Sequence, residues 1–171
     1  MSNSDNPKNG AVFQKQVRRW FQTSYNVEFE LEKKIPIGNP AKDHKFDIVD
    51  AAGTIAIECK RYTWTESGNV PSAKMGFTNE AAFYLSFLPE TYEKYIVMLK
   101  SLHPKRNESL AEYYYRTNKH LLGKIKVAEY DPEQNKLHVV GQNEISGDRK
   151  GIRIRCDVAT KKVQFTRDYT G

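Results

Sequence analysis

The stretch Phe46–Lys60, FDIVDAAGTIAIECK, contains Asp47, Glu58 and Lys60, two carboxylates and an ammonium close together in the chain. Oxygen ligands of this kind suit a hard cation such as Mg²⁺, which takes one or two carboxylates together with water and a substrate phosphate. Such an ion neutralises charge on a scissile phosphodiester and lowers the pKa of the attacking water. An ammonium beside it can orient that water or offset the charge that builds on phosphate. These residue types therefore suit phosphodiester chemistry, provided that the fold brings them together.

Alternation supplies the elements that would do so. In His44–Asp50, Phe46 and Ile48 are expected on one face and Lys45, Asp47 and Val49 on the other. In Thr54–Lys60, Ile55, Ile57 and Cys59 face one way, and Ala56, Glu58 and Lys60 the other. Asp50-Ala51-Ala52-Gly53 between them has the Asp and Gly favoured at the ends of a type I turn. A hairpin pairing Val49 with Thr54 sets Ile48 opposite Ile55, Phe46 opposite Ile57 and Asp47 opposite Ala56. Asp47 is then diagonal to Glu58, with backbones about 7–8 Å apart. A slip of one residue would turn Asp47 in among the isoleucines.

An acidic residue, any residue and a lysine form a weak pattern. It occurs at Glu32-Lys33-Lys34, Asp43-His44-Lys45, Glu58-Cys59-Lys60 and Asp148-Arg149-Lys150. Only the Glu58 copy ends an apolar strand whose hairpin partner carries an Asp on the same face. The competing reading is an ordinary cross-strand ion pair between Glu58 and Lys45, which this register sets opposite each other.

The 171 residues are long enough for one domain with a core of its own, and a net charge of +6 favours a polyanionic partner. The opening MSNSDNPKNG has no apolar run for a signal peptide, and no stretch reaches membrane-spanning length. The two cysteines, Cys59 and Cys156, read as reduced thiols of an intracellular, cytoplasmic protein.

The order of elements is helix, three strands, helix, strand, helix, then strands. The first helix is expected over Pro7–Gln22, with Phe13, Val17, Trp20 and Phe21 at helical spacing. A strand follows over Val27–Ile37, with Glu28, Glu30 and Glu32 on its solvated face. After a polar loop, Arg61–Pro71, a helix over Ser72–Leu88 is expected to bury Phe77, Ala81, Tyr84, Leu85 and Leu88. Lys94–Leu102 reads as a central strand. Glu108–Leu122 reads as a helix with Leu110, Tyr113, Tyr114, Thr117 and Leu121 on one stripe and Gly123 as its stop. Two hairpins are expected in the tail, Lys124–Tyr130 with Lys136–Val140 and Gly151–Val158 with Lys162–Arg167.

A helix, a three-strand antiparallel meander with Asp on one strand and Glu-x-Lys on the next, then a helix and a strand, resembles the PD-(D/E)XK nuclease superfamily. The resemblance covers residues 8–102, with Phe46-Asp47 for the first part of the motif and Glu58-Cys59-Lys60 for the second. Gly10, Phe13 and Val17 in the opening helix are similar to the Mrr-like and Holliday-junction-resolvase-like branches. The resemblance implies an α/β restriction-endonuclease-like core in a single domain, extended by residues 103–171. It implies Mg²⁺, with Mn²⁺ as the alternative, held by Asp47, Glu58 and the Cys59 carbonyl, and hydrolysis that leaves 5′-phosphates. Two positions depart from the pattern: Phe46 replaces proline, and Gln14 stands where related proteins often carry a glutamate. Gln14 shares a helical stripe with Gly10, Val17 and Phe21, so it can face the site, where it would ligate or orient water without adding charge; a helix-edge glutamine with a satisfied hydrogen bond is the competing reading.

Arg61, Tyr62 and Trp64 directly follow the Glu-x-Lys strand, and a basic and aromatic loop there can hold phosphate or stack on a base. A buried Trp64 that anchors the loop explains the same residues. Lys74 can reach phosphate from the start of the next helix, though a solvated helix lysine is the reading preferred. Arg153 and Arg155 are expected on one strand face, with Arg149, Lys150, Lys161, Lys162 and Arg167 nearby in sequence, as on a phosphate-tracking surface; a charge-rich solvent face explains the same residues almost equally well. The histidines, His44, His103, His120 and His138, show no metal-ligand spacing. The expected activity is a metal-dependent endonuclease acting on nucleic acid, with DNA favoured. Asp47, Glu58 and Lys60 would be catalytic and Gln14 would assist. A homodimer would supply two active sites for a duplex. The alternative is a nucleic-acid-binding or scaffolding domain that keeps the fold without catalysis.

Overall fold

The computed structural model describes residues 7–141, 154–157 and 162–165. Contacts divide the chain into two compact units, Met1–Gly141 and Gln142–Gly171. The first is α/β. Its elements are α1 (Pro7–Tyr25), β1 (Phe29–Ile37), β2 (Lys42–Asp50), β3 (Ile55–Lys60), α2 (Ser72–Ser86), β4 (Glu93–Leu99), α3 (Leu110–Leu122), β5 (Lys126–Asp131) and β6 (Lys136–Val139). In the second unit β7 (Ile154–Asp157) pairs antiparallel with β8 (Lys162–Phe165), within the expected hairpin.

The six strands of the first unit form one mixed sheet in sequence order. β1, β2 and β3 are antiparallel neighbours, β3, β4 and β5 run parallel, and β6 returns antiparallel to β5. The parallel pairs are joined through α2 and α3, as crossover connections require. Residues 103–141 therefore continue the sheet beyond the expected core. No helix among the described residues is long and apolar enough to cross a membrane.

The core lies on both faces of the sheet. On one face Phe13, Val17 and Phe21 of α1 pack on Ile48, Ile55, Ile57, Tyr95 and Val97. On the other, Met75, Ala82 and Leu85 of α2 and Leu110, Ala111 and Tyr114 of α3 pack on Phe46, Val49, Ala56, Ile96 and Met98. Strands β3 and β4 are covered on both faces, which explains the near-continuous apolar run in β4. β1 is an outer strand whose Glu30, Glu32 and Lys34 are exposed and whose Pro36 has no N–H to donate.

Four details differ from expectation. The β2–β3 register is displaced by two residues: Ile48 pairs with Ile57 and Val49 with Ala56, not Ile48 with Ile55 or Phe46 with Ile57. The turn forms where expected, with Gly53 N–H donating to Asp50 O at 3.1 Å. The Asp50 carboxylate then accepts from Thr54 N–H and Ile55 N–H at 2.6 and 2.7 Å, so these amides bond the side chain and the ladder starts later.

Phe46 and Ile48 do not share a face; they belong to the clusters on opposite sides of the sheet. The β1–β2 ladder runs from Phe29↔Asp50 to Leu31↔Ile48, skips Glu32 and Asp47, and resumes at Lys33↔Phe46. Glu32 there has φ +54°, a left-handed backbone that few non-glycine residues adopt. Lys45 pairs with Glu32 at 3.1 Å instead of standing opposite Glu58. Phe77 and Leu121, both expected in the core, are exposed. Met75, Thr78, Ala81, Ala82 and Leu85 carry the buried side of α2, and Leu122 closes α3.

Candidate functional site

The β2–β3 ladder ends at the Ile48↔Ile57 pair, and continuing its register sets Asp47 level with Glu58. The next main-chain contact is made to a side chain: Cys59 N–H donates to Asp47 Oδ2 at 2.8 Å. An extended residue points its N–H and C=O to the same side. The Cys59 carbonyl is therefore directed towards β2 as well.

The other expected participants gather here. Gln14 Nε2 donates to Asp47 Oδ1 at 2.7 Å, bringing α1 to the site across 33 residues of chain. Lys60 Nζ donates to Glu58 Oε2 at 3.1 Å. His44 Nε2 lies 4.0 Å from Glu58 Oε1, while its ring stacks on Tyr84 of α2 with centroids 3.9 Å apart. Asp47 is half-buried and Glu58 is buried. The kink at Glu32 lies opposite Asp47, so the sheet is least regular where the acidic pair sits.

Electrostatics follow from that burial. Burial pushes the Glu58 carboxyl up to about 7, with the Asp47 charge adding to it; Lys60 and the Asp47 backbone N–H pull the other way. Burial also raises Asp47, against the Cys59 N–H and the Lys60 charge. For Lys60, burial works to lower the pKa, but the charges of Glu58 and Asp47 outweigh it and the pKa is raised. Lys60 is thus held as an ammonium, a donor rather than a base. Burial lowers His44 despite nearby carboxylates, favouring neutral imidazole. These carboxyls lie above their usual range because burial denies their charge the stabilisation of water.

The donor set fits a hard divalent cation. Both carboxylates are shifted toward protonation, Lys60 Nζ is bonded to Glu58, and the main-chain carbonyl between Glu58 and Lys60 is turned to the same gap. Among the described residues no group of three His, Cys, Asp or Glu side chains forms a metal cluster, so the side-chain contribution is the pair alone.

His44 was not legible as a site residue. Its signal was its place on the Asp47 strand, and alternation gave no sign that it would stand beside Glu58 and Tyr84. The loop after β3 is anchored by a buried Trp64, whose ring meets His103 and Tyr113 and lies under Arg106. That position suits an anchor rather than an exposed stacking ring. Lys74 Nζ sits 5.5 Å from the Tyr62 ring centroid, and Arg61 is half-buried. Arg155 lies in β7 of the second unit, while Arg153 falls outside the described residues.

Comparison with known proteins gives no match to this chain among family models, curated proteins or solved structures.

Proposed function

We propose that the protein is a metal-dependent endonuclease of the PD-(D/E)XK type, with a restriction-endonuclease-like arrangement, acting on nucleic acid and by preference on DNA. The observation that carries this reading is the meeting of Asp47, Glu58, Lys60 and Gln14 where the β2–β3 ladder ends. The element order agrees with it: α1 covers one face of the sheet, α2 the other, and the acidic pair lies on the second and third strands.

Asp47, Glu58 and the Cys59 carbonyl would hold Mg²⁺ or Mn²⁺. When bound, the ion supplies charge neutralisation at the phosphate and a water of lowered pKa. Gln14 holds one Asp47 oxygen by its Nε2 donor, and the Cys59 amide holds the other, which fixes the carboxylate before any ligand arrives. Lys60, kept protonated by its neighbours, would donate to the attacking water or to a non-bridging phosphate oxygen. Water oxygen adds to phosphorus as the bond to the 3′ oxygen breaks, leaving a 5′-phosphate and a 3′-hydroxyl. Arg61 and Lys74 would hold flanking phosphates.

The second reading, a nucleic-acid-binding or scaffolding domain without catalysis, is favoured by Gln14, which brings no charge where an acid would strengthen metal binding. Nuclease assays on single- and double-stranded DNA and RNA with Mg²⁺ or Mn²⁺ separate the two. Lys60→Ala and Glu58→Gln are each expected to lower metal-dependent cleavage by about 10²-fold or more. Cleavage that persists in both variants would exclude this site. Binding to these substrates with no cleavage by the wild type would establish the second reading.

A further inference from the structure

An open hollow of about 410 Å³ lies between the end of the β1–β2 hairpin and the C-terminal half of α2. Its volume is within the usual range for a small-molecule site. Phe83, Tyr84 and Phe87 line one side and Lys42, Asp43 and His44 the other. Phe83 and Phe87 are 59% and 47% exposed, an unusual state for two phenylalanines one helical turn apart. Their rings pack edge-to-face at 4.9 Å, so each restrains the other while keeping surface open to solvent. The hollow is continuous with the acidic site through one residue: the His44 ring that stacks on Tyr84 also carries the Nε2 atom 4.0 Å from Glu58.

We propose that this hollow is a nucleobase subsite, which takes one unpaired base of the strand whose phosphate lies at Asp47 and Glu58. The inference rests on the nuclease reading above and goes further by naming the substrate class: single-stranded, flapped or otherwise unstacked nucleic acid. Aromatic faces and edges supply sequence-tolerant contact with a base. Lys42 is placed for the adjoining phosphate. Asp43 is a carboxylate acceptor for a base amino group, the pairing that carboxylates make with exocyclic amines. A purely apolar peptide fits less well, since Lys42, Asp43 and His44 would lose water to it. A base with its phosphate offers a counterpart to each. A paired base cannot enter, because its edges are occupied and both its faces stacked. Entry therefore selects a base already out of the helix or easily drawn from it.

The test uses metal-free full-length protein and a short single-stranded deoxyoligonucleotide carrying 2-aminopurine, so that no cleavage intervenes. Wild type is expected to change the 2-aminopurine emission on binding, and to bind this strand more tightly than the same strand in a duplex. Phe83→Ala is expected to reduce that single-strand to duplex affinity ratio about tenfold, the order expected for one stacked base. Phe77→Ala, which removes an exposed phenylalanine of the same helix outside the hollow, should leave the ratio as in wild type. Phe83→Leu, which keeps apolar bulk without a ring, serves if the alanine variant fails to fold, and should reduce the ratio as well. An unchanged ratio in folded Phe83 variants overturns the proposal. So does a wild-type dimer that Phe83→Leu converts to monomer in sedimentation, which would make the hollow a contact between copies. Mg²⁺-dependent cleavage with no Phe83 effect on the ratio leaves the nuclease and removes the subsite. A Phe83-dependent ratio without cleavage keeps a base-binding hollow and removes the nuclease.

Discussion

Glu58 combines burial with a neighbouring negative charge, and its folded pKa of about 7 lies above the ordinary glutamate value of 4.5. Folding thus favours the protonated carboxyl. The contribution of this group to stability is least favourable above about pH 7 and improves as the pH falls from about 7 towards 4.5. In metal-free protein, the melting temperature of Glu58→Gln minus that of wild type is therefore expected to be larger at about pH 8 than at about pH 5. A difference independent of pH would show that Glu58 does not titrate in that window. Gln14 gives a second prediction. Gln14→Glu replaces the Nε2 donor to Asp47 with another carboxylate, so the metal-free protein should lose about 1–3 kcal/mol. Mg²⁺ should then stabilise the variant more than wild type, as thermal melts with and without the ion would show. That Asp47, Glu58 and Lys60 would come together was legible from the hairpin that joins their strands, although alternation fails in β2, where Phe46 and Ile48 lie on opposite faces. The place of His44 beside Glu58 was not, because it depends on how α2 packs Tyr84 against its ring.

At the scale of elements, the β2–β3 hairpin decides the geometry of the site, and Asp50 decides the hairpin. Its carboxylate is buried and accepts from Thr54 N–H, Thr54 Oγ1 and Ile55 N–H. Asp50→Ala is expected to cost about 2–4 kcal/mol in denaturant unfolding, since two main-chain amides lose their acceptor. Asp50→Asn, which keeps one oxygen, should cost less. Equal stability of wild type and Asp50→Ala would show that the turn does not depend on this side chain. The turn residues were legible; the two-residue displacement was not, because turn statistics count backbone bonds and here the side chain takes the amides. The expected faces hold in β3, because a shift by an even number keeps each residue on its face, but not along β2, where Phe46 and Ile48 lie on opposite faces of the sheet. Phe77 and Leu121 were misplaced for a related reason. Apolar spacing marks a helix stripe, but the neighbouring layer decides which edge of the stripe is covered.

For the whole molecule, the alternation of strands and helices was enough to anticipate an α/β sheet, and the local patterns located each strand and helix to within a few residues. The long-range order of β4, β5 and β6 could not be read, because it depends on α2 and α3 packing on the same face. The net charge of +6 is spread over both units, and Arg155 lies in the second. If that unit tracks phosphates, Arg155→Ala should reduce the slope of log affinity against log salt by about one, with little dependence on sequence. An unchanged slope would remove Arg155 from the interface. The outer strand β1 has a consequence for crowded conditions. A proline at Pro36 and charged side chains at Glu30, Glu32 and Lys34 make a poor template for strand addition. Copies crowded together are thereby discouraged from zipping into fibrils through this border of the sheet. If the proposed nuclease works as a pair of copies, they would join by surfaces other than β1.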